Sequence, residues 1–201
     1  MLPVVFDLTR CDVILIGEGA AAEKRLRLLD EAGATRLKVF GAAPGDALAR
    51  LAGARLHRRL PSRNDLVGAR LVFLSDRAAA YAGEIAGWAR DAGALVHIED
   101  DPAHSDLHMS AVVRRGDLTI AVSTAGASPG LAVRLKRYLA ELFGPEWQTR
   151  TQELRRERRT WQSAGAEPDT LVRRTDEWIA TQNWLPQTGA FKPPRRDSQR
   201  H

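Results

Sequence analysis

An α/β fold with a mostly parallel, doubly wound sheet is predicted by three observations. Short apolar runs alternate with helix-forming stretches through the first half of the chain. A glycine turn, Gly17-Glu18-Gly19, joins the first apolar run to the first helical stretch. Three acids and a proline, Glu99-Asp100-Asp101-Pro102, close the last apolar run of that half. Alternation of this kind is the pattern of a parallel sheet covered by helices on both faces.

Asp12-Val13-Ile14-Leu15-Ile16 is a β-branched run that suits a strand buried on both sides. Ala20 to Ala32 consists of good helix formers, and Gly33 supplies the stop. Leu37-Lys38-Val39-Phe40 reads as the second strand, closed by Gly41 and Pro44. Asp46 to Leu51 reads as a helix, Arg55 to Leu60 as a strand, and Leu71-Val72-Phe73-Leu74 as a further strand. Ala78 to Asp91 is expected to be helical up to Gly93, with Leu95-Val96-His97-Ile98 the next strand.

The texture changes after Asp101. Met109 to Val113 and Asp117 to Val122 read as an antiparallel pair joined at Arg114-Arg115-Gly116, followed by a helix from Pro129 to about Phe143. From Trp147 the chain reads as helical and charged, and it carries Trp147, Trp161, Trp178 and Trp184. Tryptophans on polar helices need a surface to pack on, so docking or dimerisation is expected there. Lys192-Pro193-Pro194-Arg195-Arg196-Asp197 has no apolar content and reads as a frayed tail. The expected organisation is a nucleotide-binding domain over 1–105 and a dimerisation and substrate region over 106–145. A helical segment over 146–190 and a disordered tail over 191–201 complete it.

Composition narrows the classes. The chain has 201 residues, with 30 Lys and Arg against 25 Asp and Glu, a net charge of +5. Such a balance favours polyanionic partners: nucleic acid, an acidic membrane or a polycarboxylate small molecule. The single cysteine, Cys11, excludes a disulfide framework and any multi-cysteine metal site. No apolar run approaches the roughly 20 residues of a membrane span, and Met1-Leu2-Pro3-Val4-Val5-Phe6-Asp7 lacks the features of a signal peptide. The expectation is a soluble, cytoplasmic protein without a membrane partner.

Gly17-Glu18-Gly19-Ala20-Ala21-Ala22 has the G-x-G-x-x-A form of a dinucleotide-binding turn. Gly17 permits the turn, Gly19 lets backbone approach a pyrophosphate, and Ala22 allows close helix–strand packing. The amides opening the helix then face the anion. An acid for the ribose hydroxyls is expected at the end of the second strand, yet the sequence there is Val39-Phe40-Gly41-Ala42, and Asp46 lies beyond Pro44. Arg36 and Lys38 raise the NADP alternative, so the choice between NAD and NADP stays open.

The acids at 99–101 follow a strand whose carboxyl end is where parallel sheets bind ligands. A carboxylate there can act as a general acid or base when a ligand partly buries it, and an ordinary Asp-Pro turn is the alternative. His97, His104 and His108 surround it; a helical segment would place His104 and His108 on one face, as transient metal ligands or as ordinary surface histidines. Val122-Ser123-Thr124-Ala125-Gly126-Ala127-Ser128-Pro129-Gly130 is a small-residue loop before a helix, with Ser128 a natural cap. Ser123, Thr124, Gly126 and Ser128, with Arg134 downstream, form a candidate surface for carboxylates or phosphates.

Four segments together resemble the N-terminal dehydrogenase/chelatase module of siroheme synthase and its stand-alone relatives. They are Leu2–Leu8, Gly17–Lys24, Val96–Pro102 and Ile120–Pro129, and the resemblance covers residues 1–143. It implies NAD-dependent oxidation of precorrin-2, a tetrapyrrole, to sirohydrochlorin, with insertion of Fe2+ or Co2+ in bifunctional members. It places the catalytic carboxylate on Asp100, substrate contacts at Thr124 and its loop, and the cofactor turn on Gly17, Gly19, Ala20 and Ala21. The adenosine side falls near Ala42 and Ala43. It also implies an intertwined homodimer. Departures from the family pattern are Asp106-Leu107-His108-Met109-Ser110 after the Asp-x-Pro segment, Arg114 where an aspartate is common, and Leu74-Ser75-Asp76 for Ala-Thr-Asp. At 201 residues no methyltransferase domain is expected.

The alternatives are a dehydrogenase without chelatase activity and a non-enzymatic NAD(H)-sensing regulator. The regulator would use its basic C-terminal helices on DNA, but no helix-turn-helix signature or aromatic–basic interleaving is present, so no nucleic-acid partner is expected.

Overall fold

The computed structural model of the chain describes residues 2–75 and 81–185. The expected helix start at Ala78, the acid Asp76 and the expected tail at 191–201 lie outside them. The described residues form two compact units: one runs to Ser110 and includes Ser123–Ser128, and the other comprises Ala111–Val122 and the residues from Pro129 onward.

The first unit contains β1 (Val13–Ile16), α1 (Ala20–Glu31), β2 (Leu37–Phe40), α2 (Asp46–Ala52), β3 (Leu56–His57), β4 (Leu71–Leu74), α3 (Ala82–Asp91) and β5 (Leu95–Ile98). The strands lie in the order β3-β2-β1-β4-β5 and every neighbouring pair is parallel. This is the doubly wound Rossmann-like sheet expected from the sequence. All carboxyl ends point to one edge, and the strand order reverses between β1 and β4, the position where such sheets bind ligands.

Strand alternation explains the two layers. Val13 and Leu15 face one side with Leu26 and Leu29 of α1 and Leu48 of α2. Ile14 and Ile16 face the other with Val72, Leu74, and Ile85 and Ala89 of α3. β1 is therefore buried at every position, which is why it reads as a continuous apolar run rather than an alternating one.

The expected strand over Arg55–Leu60 shrinks to Leu56–His57. Arg55 sits in a 3-10 turn with its guanidinium on Asp30, and the Arg59 N–H returns to the His57 carbonyl at 2.8 Å, ending the strand in a tight turn.

The second unit holds β6 (Ala111–Arg115) and β7 (Leu118–Val122), an antiparallel pair, then α4 (Pro129–Leu142), α5 (Trp147–Ser163) and α6 (Pro168–Gln182). The hairpin turn is Gly116-Asp117, with Arg114 and Arg115 inside β6 rather than in the turn. Gly116 takes φ +59°, and a Cβ there would meet Gln148 Cγ at 2.9 Å, so both conformation and space require glycine. The tryptophans expected to seek a docking surface pack largely on one another. Trp184 stands edge-on to Trp178 and Trp147 with centroids 4.7 and 6.2 Å away, and Phe143 lies 5.1 Å from Trp147. The Arg150 guanidinium covers Trp147 at 5.1 Å.

Candidate functional site

The glycine turn leaves β1 at the reversal point of the sheet. Gly17 is buried, Gly19 and Ala20 are exposed, Ala21 is half-buried, and Ala22 is fully buried under α1. Gly19 caps α1 without any side-chain hydrogen bond, and no atom lies within 4 Å of where its Cβ would be. Gly19 brings no side chain to the first amides of α1, and the space beside it is open, the arrangement that accepts a phosphate. Gly41, at the end of β2, must be glycine because a Cβ would come within 2.7 Å of the Gly17 carbonyl. Ala42 and Ala43 follow it, both exposed.

Ser75 lies at the carboxyl end of β4, beside that turn. Its N–H donates to the Ile16 carbonyl at 2.9 Å. Its hydroxyl is buried and has no hydrogen-bond partner among the described residues. A buried hydroxyl without a partner among the described residues, on the strand beside β1 at the reversal point, fits the polar groups of a dinucleotide.

The three acids after β5 divide the work. Asp101 caps the 3-10 turn Pro102–His104, its carboxylate 3.0 Å from His104 Nδ1. Glu99 accepts from Arg25 at 2.5 Å. Asp100, between them, is exposed and takes φ +56°, an unfavourable backbone for a residue with a side chain. The two flanking anchors hold that conformation and set the Asp100 carboxylate at the carboxyl edge of the sheet.

Arg25 was not visible as a site residue in the sequence. It projects from α1 on the same face as Ala22, Leu26 and Leu29, and is only 6% exposed. Its guanidinium carbon lies 5.6 Å from the Phe73 ring centroid and one terminal nitrogen is 3.2 Å from His97 Nε2. His97 Nδ1 lies 3.1 Å from the Leu107 carbonyl. Burial, followed by the Arg25 charge, lowers the pKa of His97 below its ordinary value. A charged residue on the apolar stripe of α1 was the available signal.

His104 and His108 do not share a helix face. The turn ends at His104, because Ser105 Oγ donates to the Asp101 carbonyl at 2.7 Å and accepts from the Ile98 N–H at 2.9 Å, returning the chain to β5. Among the described residues no group of three or more His, Cys, Asp or Glu is placed to hold a metal ion.

In the loop Ser123–Ser128 the Thr124 hydroxyl accepts from the Ser128 N–H at 3.1 Å and donates to the Ser128 carbonyl at 3.0 Å. Ser123 Oγ accepts from the Ala125 N–H at 3.2 Å. The loop thus closes on itself through Thr124, with Ala125 and Gly126 both at positive φ and open space around Gly126. In the second unit, Arg134 and Arg137 line a cavity of about 690 Å3 with Pro129, Gly130 and Val133. No helix among the described residues is long and apolar enough to cross a membrane.

Residues 4–111 match a family described as "Putative NAD(P)-binding", and residues 115–142 match one described as "Sirohaem biosynthesis protein central". Siroheme synthase 1 of Aeromonas salmonicida is 33% identical over 145 residues, 71% of this chain and 31% of the relative. A siroheme synthase of Ectopseudomonas mendocina is 35% identical over 145 residues, 72% of this chain and 31% of the relative. The siroheme synthase of Tolumonas auensis is 27% identical over 206 residues, 92% of this chain and 42% of the relative. The chain thus spans about a third of the length of the first of these relatives. The solved structure of a protein named SirC, precorrin-2 dehydrogenase, superposes with a TM-score of 0.72 at 20% identity, covering 94% of each chain, and shares the fold.

Proposed function

The chain belongs to the NAD(P)-binding family shared with siroheme synthases, and on that premise we propose that it oxidises precorrin-2 to sirohydrochlorin with NAD+. The observation that carries this reading is the gathering at one sheet edge of an open glycine turn, a buried hydroxyl and an exposed carboxylate. The Gly17–Ala22 turn and Ser75 occupy the ends of β1 and β4, and Asp100 the end of neighbouring β5.

Gly17, Gly19 and the amides of Ala20, Ala21 and Ala22 would hold the pyrophosphate, with Ala42 and Ala43 on the adenosine side. The nicotinamide, when bound, supplies the acceptor for a hydride from the tetrapyrrole ring. The proton that must also leave for the ring system to gain its double bond goes to the Asp100 carboxylate, or through it to solvent. Arg25 and Glu99 are positioning residues in this scheme, because they fix the backbone on which Asp100 turns outward. Loop Ser123–Ser128 would meet substrate carboxylates at the exposed Ser123 and around Gly126, while Thr124 keeps the loop in shape. Arg134 and Arg137, which belong to the second unit, are cations of the kind that pair with carboxylates. A homodimer is part of the proposal, supported by the exposed Val133, Leu135 and Leu142 of α4, and so is a cytoplasmic location. Fe2+ or Co2+ insertion rests on the family resemblance alone, and a dehydrogenase without chelatase activity is the alternative.

Purified protein with precorrin-2 and NAD+ is expected to yield the sirohydrochlorin spectrum; absence of turnover with both NAD+ and NADP+ overturns the assignment. Asp100→Asn is expected to slow turnover by on the order of 100-fold or more while dinucleotide affinity stays within about twofold. An unchanged rate removes Asp100 from the chemistry.

A further inference from the structure

We infer that Arg90 of α3 is a positioning residue for the Asp100 carboxylate: it clamps the far end of loop 99–106, as Arg25 clamps the near end. This rests on the proposed part of Asp100 in the dehydrogenation. Arg90 and its partner Asp106 lie outside every motif of the glycine turn and the acid cluster.

The loop leaves β5, the last strand of the sheet, which has a neighbouring strand, β4, on one side only. In such a strand the N–H and C=O of alternate residues face away from the sheet and need other partners. Val96 and Ile98 are those residues, and the returning end of the loop supplies both. The Val96 N–H donates to the Asp106 carboxylate at 3.0 Å, and its carbonyl accepts from the Asp106 N–H at 2.8 Å. The Ile98 N–H donates to Ser105 Oγ at 2.9 Å. The loop is thus closed on the strand it left, with Ser105 and Asp106 standing where a further strand would be.

Arg90, in the last turn of α3, fixes that closure from outside. Its Nε lies 3.1 Å from each carboxylate oxygen of Asp106, and a terminal nitrogen donates to the His104 carbonyl. One guanidinium therefore ties both residues 104 and 106 to α3, while Arg25 ties Glu99 to α1. Between the two clamps the Ile98 carbonyl accepts from the Asp101 N–H at 3.2 Å, which closes a four-residue turn. Asp100 is third in that turn at φ +56°, a place that glycine or asparagine fills most readily. An aspartate stays there because the ends of its loop are held. The Arg90–Asp106 pair is partly exposed on both sides, so it adds little to the stability of the fold. Its weight falls on where the apex of the loop sits, and a shift of about 1 Å at a reacting group can cost up to 100-fold in rate.

The test is steady-state turnover of precorrin-2 with NAD+ by Arg90→Met, Asp100→Asn and the double variant. Arg90→Met keeps the stem and removes every donor. It is expected to lower kcat about tenfold, with the KM for precorrin-2 and the Kd of NADH within about twofold. Its melting temperature should fall by no more than about 3 °C. In the Asp100→Asn background, which tolerates the same backbone, the substitution should slow turnover by less than about twofold, because the group it positions is already gone. Arg90→Lys keeps a cation for Asp106 without the fork that also reaches His104, and should recover part of the rate. If Arg90→Met fails to fold, Arg90→Lys in the two backgrounds decides the same question. A loss as large in the Asp100→Asn background as in wild type, or a folded Arg90→Met as fast as wild type, overturns the inference and leaves Asp100 in place. Absence of turnover by wild type, or an Asp100→Asn variant at the wild-type rate, overturns both.

Discussion

The two units of this chain solve the problem of burial differently. In the first, β1, β2 and β4 are almost wholly enclosed, and helices cover both faces of the sheet. In the second, the buried apolar residues among those described are Val113, Ala132 and Leu171, while Val133, Leu135 and Leu142 of α4 and Val172 of α6 are exposed. The first unit carries its own core. The second is a hairpin and three helices with much of its apolar surface unused, a composition that suits association with another chain. Stability is thus concentrated in the unit that carries the glycine turn and Asp100, and the other unit offers surface.

The largest expected effect tests the core directly. Leu15 is fully buried at the centre of the sheet, so Leu15→Ala is expected to cost about 3–5 kcal/mol of unfolding free energy. Leu135→Ala on exposed α4 should cost under about 0.5 kcal/mol in dilute monomer. Urea unfolding of both variants checks the contrast, and similar losses would break it.

Next is the charged element in the first unit. Arg25→Met keeps the stem over Phe73 but leaves Glu99 without its cation, and is expected to cost about 2 kcal/mol, since Glu99 keeps partial access to solvent. The same substitution should slow turnover through Asp100 while leaving NADH affinity within about twofold. A variant as stable and as active as wild type would show that the ion pair positions nothing.

A smaller effect on stability, but a clear one on assembly, is expected in the second unit. Replacing Leu135 with Asp places a charge on the exposed face of α4, so light scattering should show a dimer for wild type and a monomer for the variant. The circular dichroism of the variant should remain that of a folded chain. A wild-type monomer at micromolar concentration would mean that the exposed face is not covered by a second copy.

The sequence carried the first unit further than the second. Val13–Ile16, Leu37–Phe40, Leu71–Leu74 and Leu95–Ile98 are short apolar runs bounded by turn residues, and burial on both faces made them legible. The edge strand was not: Arg55 to Leu60 has strand-like residues, but side-chain pairs with Asp30 and Asp65 decide where the chain turns. The glycine turn and the acid cluster were visible because their chemistry is local. Arg25, Ser75 and Arg90 were not, because their meaning depends on a partner 74 residues away in one case, on burial in another, and on a reach of 16 residues in the third. Likewise the helical spacing of His104 and His108 failed because Asp101 and Ser105 spend their hydrogen bonds on turning the chain back to β5.

The smallest effect sharpens the contrast between the units most cleanly, because it concerns one kind of group. His57, His97, His104 and His108 all belong to the first unit, and the described part of the second contains no histidine. Among them, burial and the Arg25 charge lower the pKa of His97, opposed by the Leu107 carbonyl and by Glu99. The unfolded chain, with an ordinary histidine near 6.5, takes up a proton as pH falls through that value, while folded His97 does not. Native stability must therefore fall as pH drops below about 6.5, down to the lower folded value, and His97 contributes no slope above that range. Melting temperatures measured between pH 7.5 and 5 should decline more steeply for wild type than for His97→Asn. The exposed His104 and its Asp101 partner are common to both proteins and cancel in the comparison. Equal slopes would place the pH sensitivity of the first unit elsewhere than in the buried cluster of Arg25, His97 and Glu99.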